Sequence, residues 1–175
     1  SAKHLQLIVV NSAPLMPETT KNMLSEMPHL RLIIYYGLTE ASRSTFITLS
    51  DVDEAYFRSV GPAAKRVEIT TLEGEVCIKG PHLFSGYWNQ PDETEKAIRD
   101  SWFHTGDLGV IDEQGMLMIT GRIKDQINVG GLKVSSQEVE KILKQHPNIE
   151  DLAVVGLDDP AHLKGQIVGA LIVPQ

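Results

Sequence analysis

Residues 104–131 read HTGDLGVIDEQGMLMITGRIKDQINVGG, a run that contains two polar sites next to glycines. The first site is the TGD triplet that ends at Asp107, and the second is the GR pair that ends at Arg122. Residues 112–115 supply turn residues between two apolar segments, which is typical of a β-hairpin. The pattern therefore predicts a hairpin that brings Asp107 and Arg122 close together.

An acidic and a basic side chain at the mouth of one hairpin can hold a polar ligand. The carboxylate of Asp107 can accept hydrogen bonds from two adjacent hydroxyl groups, and the guanidinium of Arg122 can donate to a ring oxygen or a phosphate. The same two charges can also form an ion pair whose role is structural. The spacing by itself leaves both interpretations open.

The N-terminal part of the chain follows a strand–helix–strand pattern. Residues 5–10 form a continuous apolar run, which is typical of a strand buried on both faces. Pro17 suits the first turn of a helix over residues 18–27, and a second buried strand is predicted at residues 30–35. This order predicts a crossover between two parallel strands.

Several polar groups follow the second strand, where open α/β sheets bind ligands. The ring of Tyr36 can stack on a base, Gly37 allows a tight turn, and the hydroxyl of Thr39 can bond a phosphate. The carboxylate of Glu40 is a hard oxygen ligand suited to Mg2+. The alternative is a simple turn in which the threonine is a cap.

The middle of the chain predicts short strands and one helix. Residues 66–71 and 75–79 are strand-like segments joined by a turn. Asp92 is the predicted N-cap of the helix that follows, with Glu95 three residues further on.

The C-terminal part predicts a hairpin, a helix and two more strands. The hairpin over residues 126–133 turns at Gly130 and Gly131, and Ser135 with Glu138 forms a capping box for the helix. The final strands are predicted at residues 149–157 and 166–173.

Composition excludes several classes of function. The 175 residues carry a formal charge of -7, which argues against binding nucleic acid through a basic surface. Cys77 is the single cysteine, so we expect a reducing, cytoplasmic location and a small buried thiol. The six histidines show no metal-ligand spacing, and His104 is expected to be a structural hydrogen-bonding residue. No apolar run is long enough to span a bilayer.

The TGD and GR sites, together with the YGLTE segment at residues 36–40, resemble the late motifs of the adenylate-forming superfamily of AMP-binding acyl-CoA synthetases. Residues 11–15 resemble the turn of that family beside the adenine and acyl pocket, with Asn-Ser where Gly-Gly is common. The resemblance implies an α/β fold of mixed α+β character. It comprises the end of a parallel α/β subdomain, a small β-barrel-like subdomain and a truncated α+β C-terminal domain.

The family pattern also implies two domains: residues 1–123 are the C-terminal portion of a large AMP-binding domain, and residues 124–175 are the start of a small mobile C-terminal domain. Lys124 matches the hinge of the family, and Gly131 matches the glycine that lets a pantetheine arm pass close to the backbone. The residues implied to be catalytic are Thr39, Glu40 and Arg122. The residues implied to bind cofactors are Tyr36, Gly37, Thr39, Asp107, Arg122 and Gly131, with Glu40 as the metal ligand.

The implied activity is ATP-dependent ligation of a carboxylic acid to a thiol through an acyl-adenylate. The implied cofactors are ATP or AMP, Mg2+ and coenzyme A or the phosphopantetheine of an acyl carrier protein. The phosphate loop and catalytic lysine of the family match no stretch of these 175 residues. We therefore expect part of a longer protein, with little or no adenylation activity by itself. The alternatives are an amino-acid adenylation domain of a multimodular synthetase and a non-catalytic nucleotide-binding or carrier-docking module.

Overall fold

The computed structural model describes residues 4–11, 15–161, 163 and 165–175. They form two compact units, Ser1–Thr120 and Gly121–Gln175. The predicted assignment of residues 1–123 and 124–175 to a large and a small domain stays a prediction.

The first unit opens with a parallel strand pair connected by a helix. Its opening elements are β1 (Leu7–Val10), α1 (Pro17–Glu26), β2 (Arg31–Ile34) and β3 (Ile47–Thr48). Strand β1 pairs with β2 in parallel, and β3 pairs with β2 in the antiparallel direction. Pro17 lies at the start of α1, where its fixed φ and missing N–H cost nothing. The predicted strand–helix–strand order is therefore confirmed.

Strand β1 differs from its prediction in one respect, because it is not buried on both faces. The side chains of Ile8 and Val10 pack against the core, whereas Leu7 and Val9 are 50% and 51% exposed. One face of β1 therefore remains exposed among the described residues. A continuous apolar run in the sequence could not reveal this difference between the two faces.

The remainder of the first unit is built around a curled five-stranded sheet that resembles half a barrel. Its elements are β4 (Glu68–Leu72), β5 (Glu75–Lys79), α2 (Pro91–Ala97), β6 (Ile98–Arg99), β7 (Trp102–Ile111) and β8 (Leu117–Arg122), of which the last two residues already belong to the second unit. Strands β4, β5, β7 and β6 neighbour one another in that order, and β8 pairs with β7. The two short strands predicted at residues 66–71 and 75–79 are thus confirmed, the first of them beginning two residues later than predicted, and so is the expected barrel-like subdomain.

Helix α2 begins earlier than predicted, so the proposed N-cap at Asp92 is wrong. Gln90 is the N-cap residue and Pro91 follows at the first helical position, without a side-chain cap. The cyclic side chain of Pro91 sets the helical φ, and Asp92 lies inside the first turn. There its negative charge interacts favourably with the helix dipole rather than capping a backbone N–H.

Two apolar clusters stabilise the first unit. One lies around β2 and β3, and the other lies beneath β5, β7 and β8, with Val60 packed against both. The buried members of the first cluster are Leu32, Ile34, Ile47, Leu49 and Phe57. The buried members of the second cluster are Ala41, Val76, Ile78, Phe103 and Leu117.

Among its described residues, the second unit combines two antiparallel hairpins with one α-helix. Its elements are β9 (Gln126–Val129), β10 (Leu132–Ser135), α3 (Ser136–Leu143), β11 (Ile149–Asp158) and β12 (Gln166–Pro174). Ile127, Leu152 and Val154 form its buried core. The Oγ atom of Ser135 accepts a hydrogen bond from the backbone N–H of Glu138 over 3.3 Å, which confirms the predicted cap.

The helices of the described part of the chain are too short or too polar to cross a membrane.

Candidate functional site

A compact loop follows β2 and carries Tyr36, Thr39 and Glu40. The backbone carbonyl of Tyr36 accepts hydrogen bonds from the N–H groups of Ser44 and Thr45 over 2.8 and 3.2 Å. The N–H group of Tyr36 donates to Oγ1 of Thr45 over 3.1 Å. The loop is therefore closed at its base, and the intervening residues extend from the carboxyl end of β2.

Gly37 is required because the loop folds back closely onto it. A Cβ atom at this position would lie 2.8 Å from the backbone oxygen of Ala41 and closer still to the amide nitrogen of Arg43. Backbone atoms cannot move aside as the tip of a side chain can. Any side chain at residue 37 would therefore open the turn that carries Thr39 and Glu40.

The carboxylate of Glu40 is held from outside the loop. The hydroxyl of Tyr87 donates to its Oε1 atom over 2.8 Å. Burial and the Glu40 carboxylate raise the pKa of Tyr87, so this hydroxyl stays a hydrogen-bond donor at neutral pH. Glu40 is half-buried, whereas Thr39 is exposed. The loop thus presents an open hydroxyl beside an oriented carboxylate.

The predicted hairpin between residues 104 and 122 is formed by β7 and β8. The Oδ1 atom of Asp112 accepts hydrogen bonds from the N–H groups of Gln114 and Met116 over 2.9 and 2.8 Å, which closes the turn. This aspartate bonding to nearby amides explains why the turn occurs at this point.

A bulge in β7 sets the position of Asp107. Between two paired positions, β7 advances four residues from His104 to Leu108, while β5 advances two, from Cys77 to Glu75. The extra residues of β7 project out of the regular ladder, and Asp107 is one of them. The bulge thereby takes Asp107 out of the regular pairing with β5.

Asp107 and Tyr36 meet in the first unit, although 71 positions separate them in the sequence. The hydroxyl of Tyr36 donates to Oδ2 of Asp107 over 2.7 Å. Asp107 is only 4% exposed, and Tyr36 is half-buried against the second apolar cluster. The loop after β2 and the bulge of β7 therefore contribute to one site. A buried carboxylate beside an aromatic ring and an open hydroxyl can bind a ligand with a flat ring and several hydroxyl groups.

Glu75 at the start of β5 is bonded to the same bulge. Its Oε1 atom accepts from the N–H of Gly106 over 2.9 Å, and its Oε2 atom lies 2.8 Å from Nδ1 of His104. The expectation that His104 is a structural hydrogen-bonding residue is therefore confirmed. Sequence analysis missed Glu75. The sequence did carry a signal, because the carboxylate of Glu75 directly precedes three apolar residues of a predicted strand, where a charge needs partners.

Cys77 is fully buried, as predicted, and it lies next to a basic side chain. Its Sγ atom lies 3.5 Å from Nδ1 of His104. Burial, assisted by the negative charge of Glu75, raises the pKa of Cys77 to about 11. The thiol is thus protonated at neutral pH and is a poor nucleophile.

Glu75, Cys77 and His104 are also three potential metal ligands whose donor atoms lie within 4.8 Å of one another. Histidine spacing in the sequence could not show this cluster, because strand pairing forms it. Both carboxylate oxygens of Glu75 already have hydrogen-bonding partners, which account for the arrangement without a cation.

The remaining predicted site residues belong to the second unit. Arg122 ends β8, and Lys124 lies in the short 3-10 helix Ile123–Asp125; both are exposed. Gly131 lies in the turn between β9 and β10 with a φ of +90°, and Oδ1 of Asn128 accepts from its N–H over 2.9 Å. The pairing of Arg122 with Asp107 and the hinge role of Lys124 stay predictions.

Tyr87 is a second residue that sequence analysis missed. It had no signal in the sequence, because its partner Glu40 lies 47 positions away.

The predicted turn over residues 11–15 lies mostly outside the described residues, since Ser12, Ala13 and Pro14 are not among them.

Two family models match this chain. The model for the AMP-binding enzyme matches residues 1–88, and the model for the AMP-binding enzyme C-terminal domain matches residues 138–175. The first match covers half of the chain, so the chain belongs to the AMP-binding enzyme family. The predicted resemblance is confirmed.

Curated relatives include ligases of fatty acids. The medium-chain fatty-acid–CoA ligase of Escherichia coli is 39% identical over 142 residues, which cover 74% of this chain and 25% of the ligase. A long-chain-fatty-acid–CoA ligase of Escherichia coli is 36% identical over 149 residues, covering 79% of this chain and 26% of the ligase. The chain therefore spans about a quarter of the length of these relatives.

Solved structures agree on the fold. ATP-bound MatB from Rhodopseudomonas palustris is 34% identical with a TM-score of 0.81, over 98% of this chain and 36% of MatB. The o-succinylbenzoate CoA synthetase MenE from Bacillus subtilis, in complex with an acyl-adenylate intermediate, is 25% identical with a TM-score of 0.83, over 97% and 36% of the two chains. The amide bond synthetase McbA from Marinactinospora thermotolerans is 33% identical with a TM-score of 0.78, over 97% of this chain and 36% of McbA.

Proposed function

We propose that the full-length protein containing these residues is an AMP-forming ligase that joins a carboxylic acid to the thiol of coenzyme A. The carboxylate of the acid attacks the α-phosphate of ATP, pyrophosphate leaves, and the thiol then displaces AMP from the acyl-adenylate. The observation that carries this proposal is the hydrogen bond between Tyr36 and Asp107, which joins the two motifs in one site.

The proposed roles divide the nucleotide between these two segments. Asp107 accepts hydrogen bonds from the ribose hydroxyls, and the ring of Tyr36 stacks on the adenine base. Thr39 donates to phosphate, and Gly37 keeps the loop tight enough to do so. Arg122 adds a cation that interacts with the ribose or the phosphate. Two anions must meet in this reaction, so its rate depends on such positioning and charge neutralisation.

Glu40 fits the requirements of a Mg2+ ligand. Mg2+ in nucleotide sites commonly uses one or two carboxylates together with phosphate oxygens, and the Glu40 carboxylate is half-buried beside the exposed Thr39. Tyr87 already orients this carboxylate. Bound Mg2+ would neutralise phosphate charge and so favour attack by an anionic acid.

The second unit is assigned to the thiol-transfer step. Lys124 acts as the hinge, and Gly131 leaves the backbone open to a pantetheine arm, since no atom lies within 4 Å of where its Cβ would be. The fatty-acid–CoA ligases among the relatives support coenzyme A as the acceptor rather than an acyl carrier protein. The names of these relatives also support a fatty acid as the substrate. Separately, we propose a cytoplasmic location for the protein.

Acid-dependent exchange between ATP and radioactive pyrophosphate tests the proposal in the full-length protein. We expect exchange with medium- or long-chain fatty acids, followed by AMP release that requires coenzyme A. Exchange with amino acids alone would favour the alternative adenylation domain, and the absence of exchange with any acid would contradict the proposed function.

The isolated 175 residues provide a matched control for that assay. We expect them to give little or no exchange, because the implied phosphate loop and catalytic lysine match no part of them. Turnover near that of the full-length protein would contradict this expectation.

A further inference from the structure

The bulge that carries Asp107 depends on side chains for its hydrogen bonds. Regular strand pairing between β5 and β7 is interrupted there, so the extra residues of β7 have no ladder partners on β5. The hydroxyl of Thr105 donates to the carbonyl of Val76 over 2.7 Å and accepts from the N–H of Asp107 over 3.0 Å. The N–H of Gly106 is bonded to the carboxylate of Glu75.

Glu75 is well placed to stabilise this conformation. Gly106 has a φ of +72°, which is unfavourable for other residues. The Glu75 side chain is 15% exposed and touches the bulge at two points, the N–H of Gly106 and the ring of His104. At a position with little access to water, a carboxylate that accepts a hydrogen bond from a backbone N–H forms a stronger bond than a neutral acceptor does.

We infer that Glu75 is a positioning residue for nucleotide binding, acting through the bulge that directs Asp107. This inference rests on the proposed function, because it assumes that Asp107 binds ribose hydroxyls. Without Glu75, the N–H of Gly106 loses its acceptor, and the conformation of the bulge becomes less stable. The side chain of Asp107 is then no longer held in one orientation, although its carboxylate is still present. Contacts to the base and the phosphates lie on the other loop, so they should change little.

The test compares two ligands in the full-length protein by calorimetry, AMP and 2′,3′-dideoxy-AMP. Asp107 can distinguish them, because only AMP carries the ribose hydroxyls. The variants are Glu75→Ala, which removes both hydrogen bonds, and Glu75→Gln, which keeps an acceptor but removes the charge. Glu68→Gln is the matched control, since Glu68 lies on the neighbouring strand β4 with an exposed side chain.

We expect Glu75→Ala to weaken AMP binding about tenfold and to leave dideoxy-AMP binding within about twofold of the unsubstituted protein. Glu75→Gln should weaken AMP binding about threefold with the same ligand selectivity. Glu68→Gln should change neither affinity. If Glu75→Ala does not fold, as judged by its melting curve, Glu75→Gln decides by the same comparison.

Equal weakening of both ligands would overturn the inference, because it would indicate a general loss of structure. Unchanged AMP binding in both Glu75 variants would overturn it as well. A different result would contradict the proposed function instead: an unsubstituted protein that does not bind AMP, or that binds both ligands equally. The two failures are therefore distinguishable within one experiment.

Discussion

At the scale of single residues, Tyr36 has two separable parts. Its ring is the predicted stacking surface for a base, and its hydroxyl donates to the buried carboxylate of Asp107. We propose that the ring contacts the base and that the hydroxyl orients the carboxylate that binds ribose, so substitutions can remove one role and keep the other.

Tyr36→Phe should therefore weaken AMP binding about tenfold in the full-length protein, since Asp107 loses one orienting hydrogen bond of charged type. Tyr36→Ala should weaken it further, because the stacking surface is also removed. Calorimetry measures both affinities. Tyr56→Phe is the matched control, because Tyr56 packs against the first apolar cluster and is assigned no contact with the nucleotide. Equal affinities for Tyr36→Phe and the unsubstituted protein would contradict a role for the hydroxyl.

At the scale of elements, the first turn of α3 depends on one side chain that the sequence identified. Helix α3 is only eight residues long, so each satisfied N–H at its start matters. Ser135 caps the N–H of Glu138, and the carboxylate of Glu140 accepts from the N–H of Val154 on β11. The cap and this cross-link together fix the helix against its hairpin.

Ser135→Ala should lower the free energy of unfolding of the second unit by about 1 kcal/mol, the usual cost of losing a serine cap. Urea unfolding followed by far-ultraviolet circular dichroism measures the change. Gln137→Ala is the matched control, because Gln137 is exposed in the same turn and should stay within about 0.5 kcal/mol. A loss of similar size in both variants would contradict the role of the cap, because alanine has a higher helix propensity than either serine or glutamine.

At the scale of the whole molecule, each unit has apolar clusters of its own. Leu32 is fully buried in the first unit, and Leu152 is buried in the second. Since no apolar cluster among the described residues includes members of both units, we expect each unit to have its own stability.

Leu32→Ala and Leu152→Ala should each destabilise mainly the unit that contains the substitution, by about 2 to 5 kcal/mol. Hydrogen exchange read peptide by peptide with mass spectrometry separates the two responses. Each variant serves as the control for the other. Faster exchange throughout both units in either variant would contradict independent stability and indicate one cooperative unit.

Local patterns determined much of this protein. The apolar runs before Tyr36, the turn residues around Asp112 and the serine before α3 each predicted an element that the structure contains. These features succeed because they depend on neighbours within a few positions, such as an aspartate oxygen bonding the next amides. The family motifs likewise identified the fold from short segments. Asp92 failed because Pro91, its immediate neighbour, determines the helix start more strongly than a cap does.

Only the tertiary structure decided how the site is assembled. Tyr36 with Asp107 and Glu40 with Tyr87 are partners separated by 71 and 47 positions, and no local pattern encodes such pairs. The bulge that directs Asp107 depends on the register between β5 and β7, and Glu75 acquires its role only from that register. The physical reason is that buried charges must find partners wherever the fold places them. The sequence supplies those charges, but strand pairing determines which of them meet.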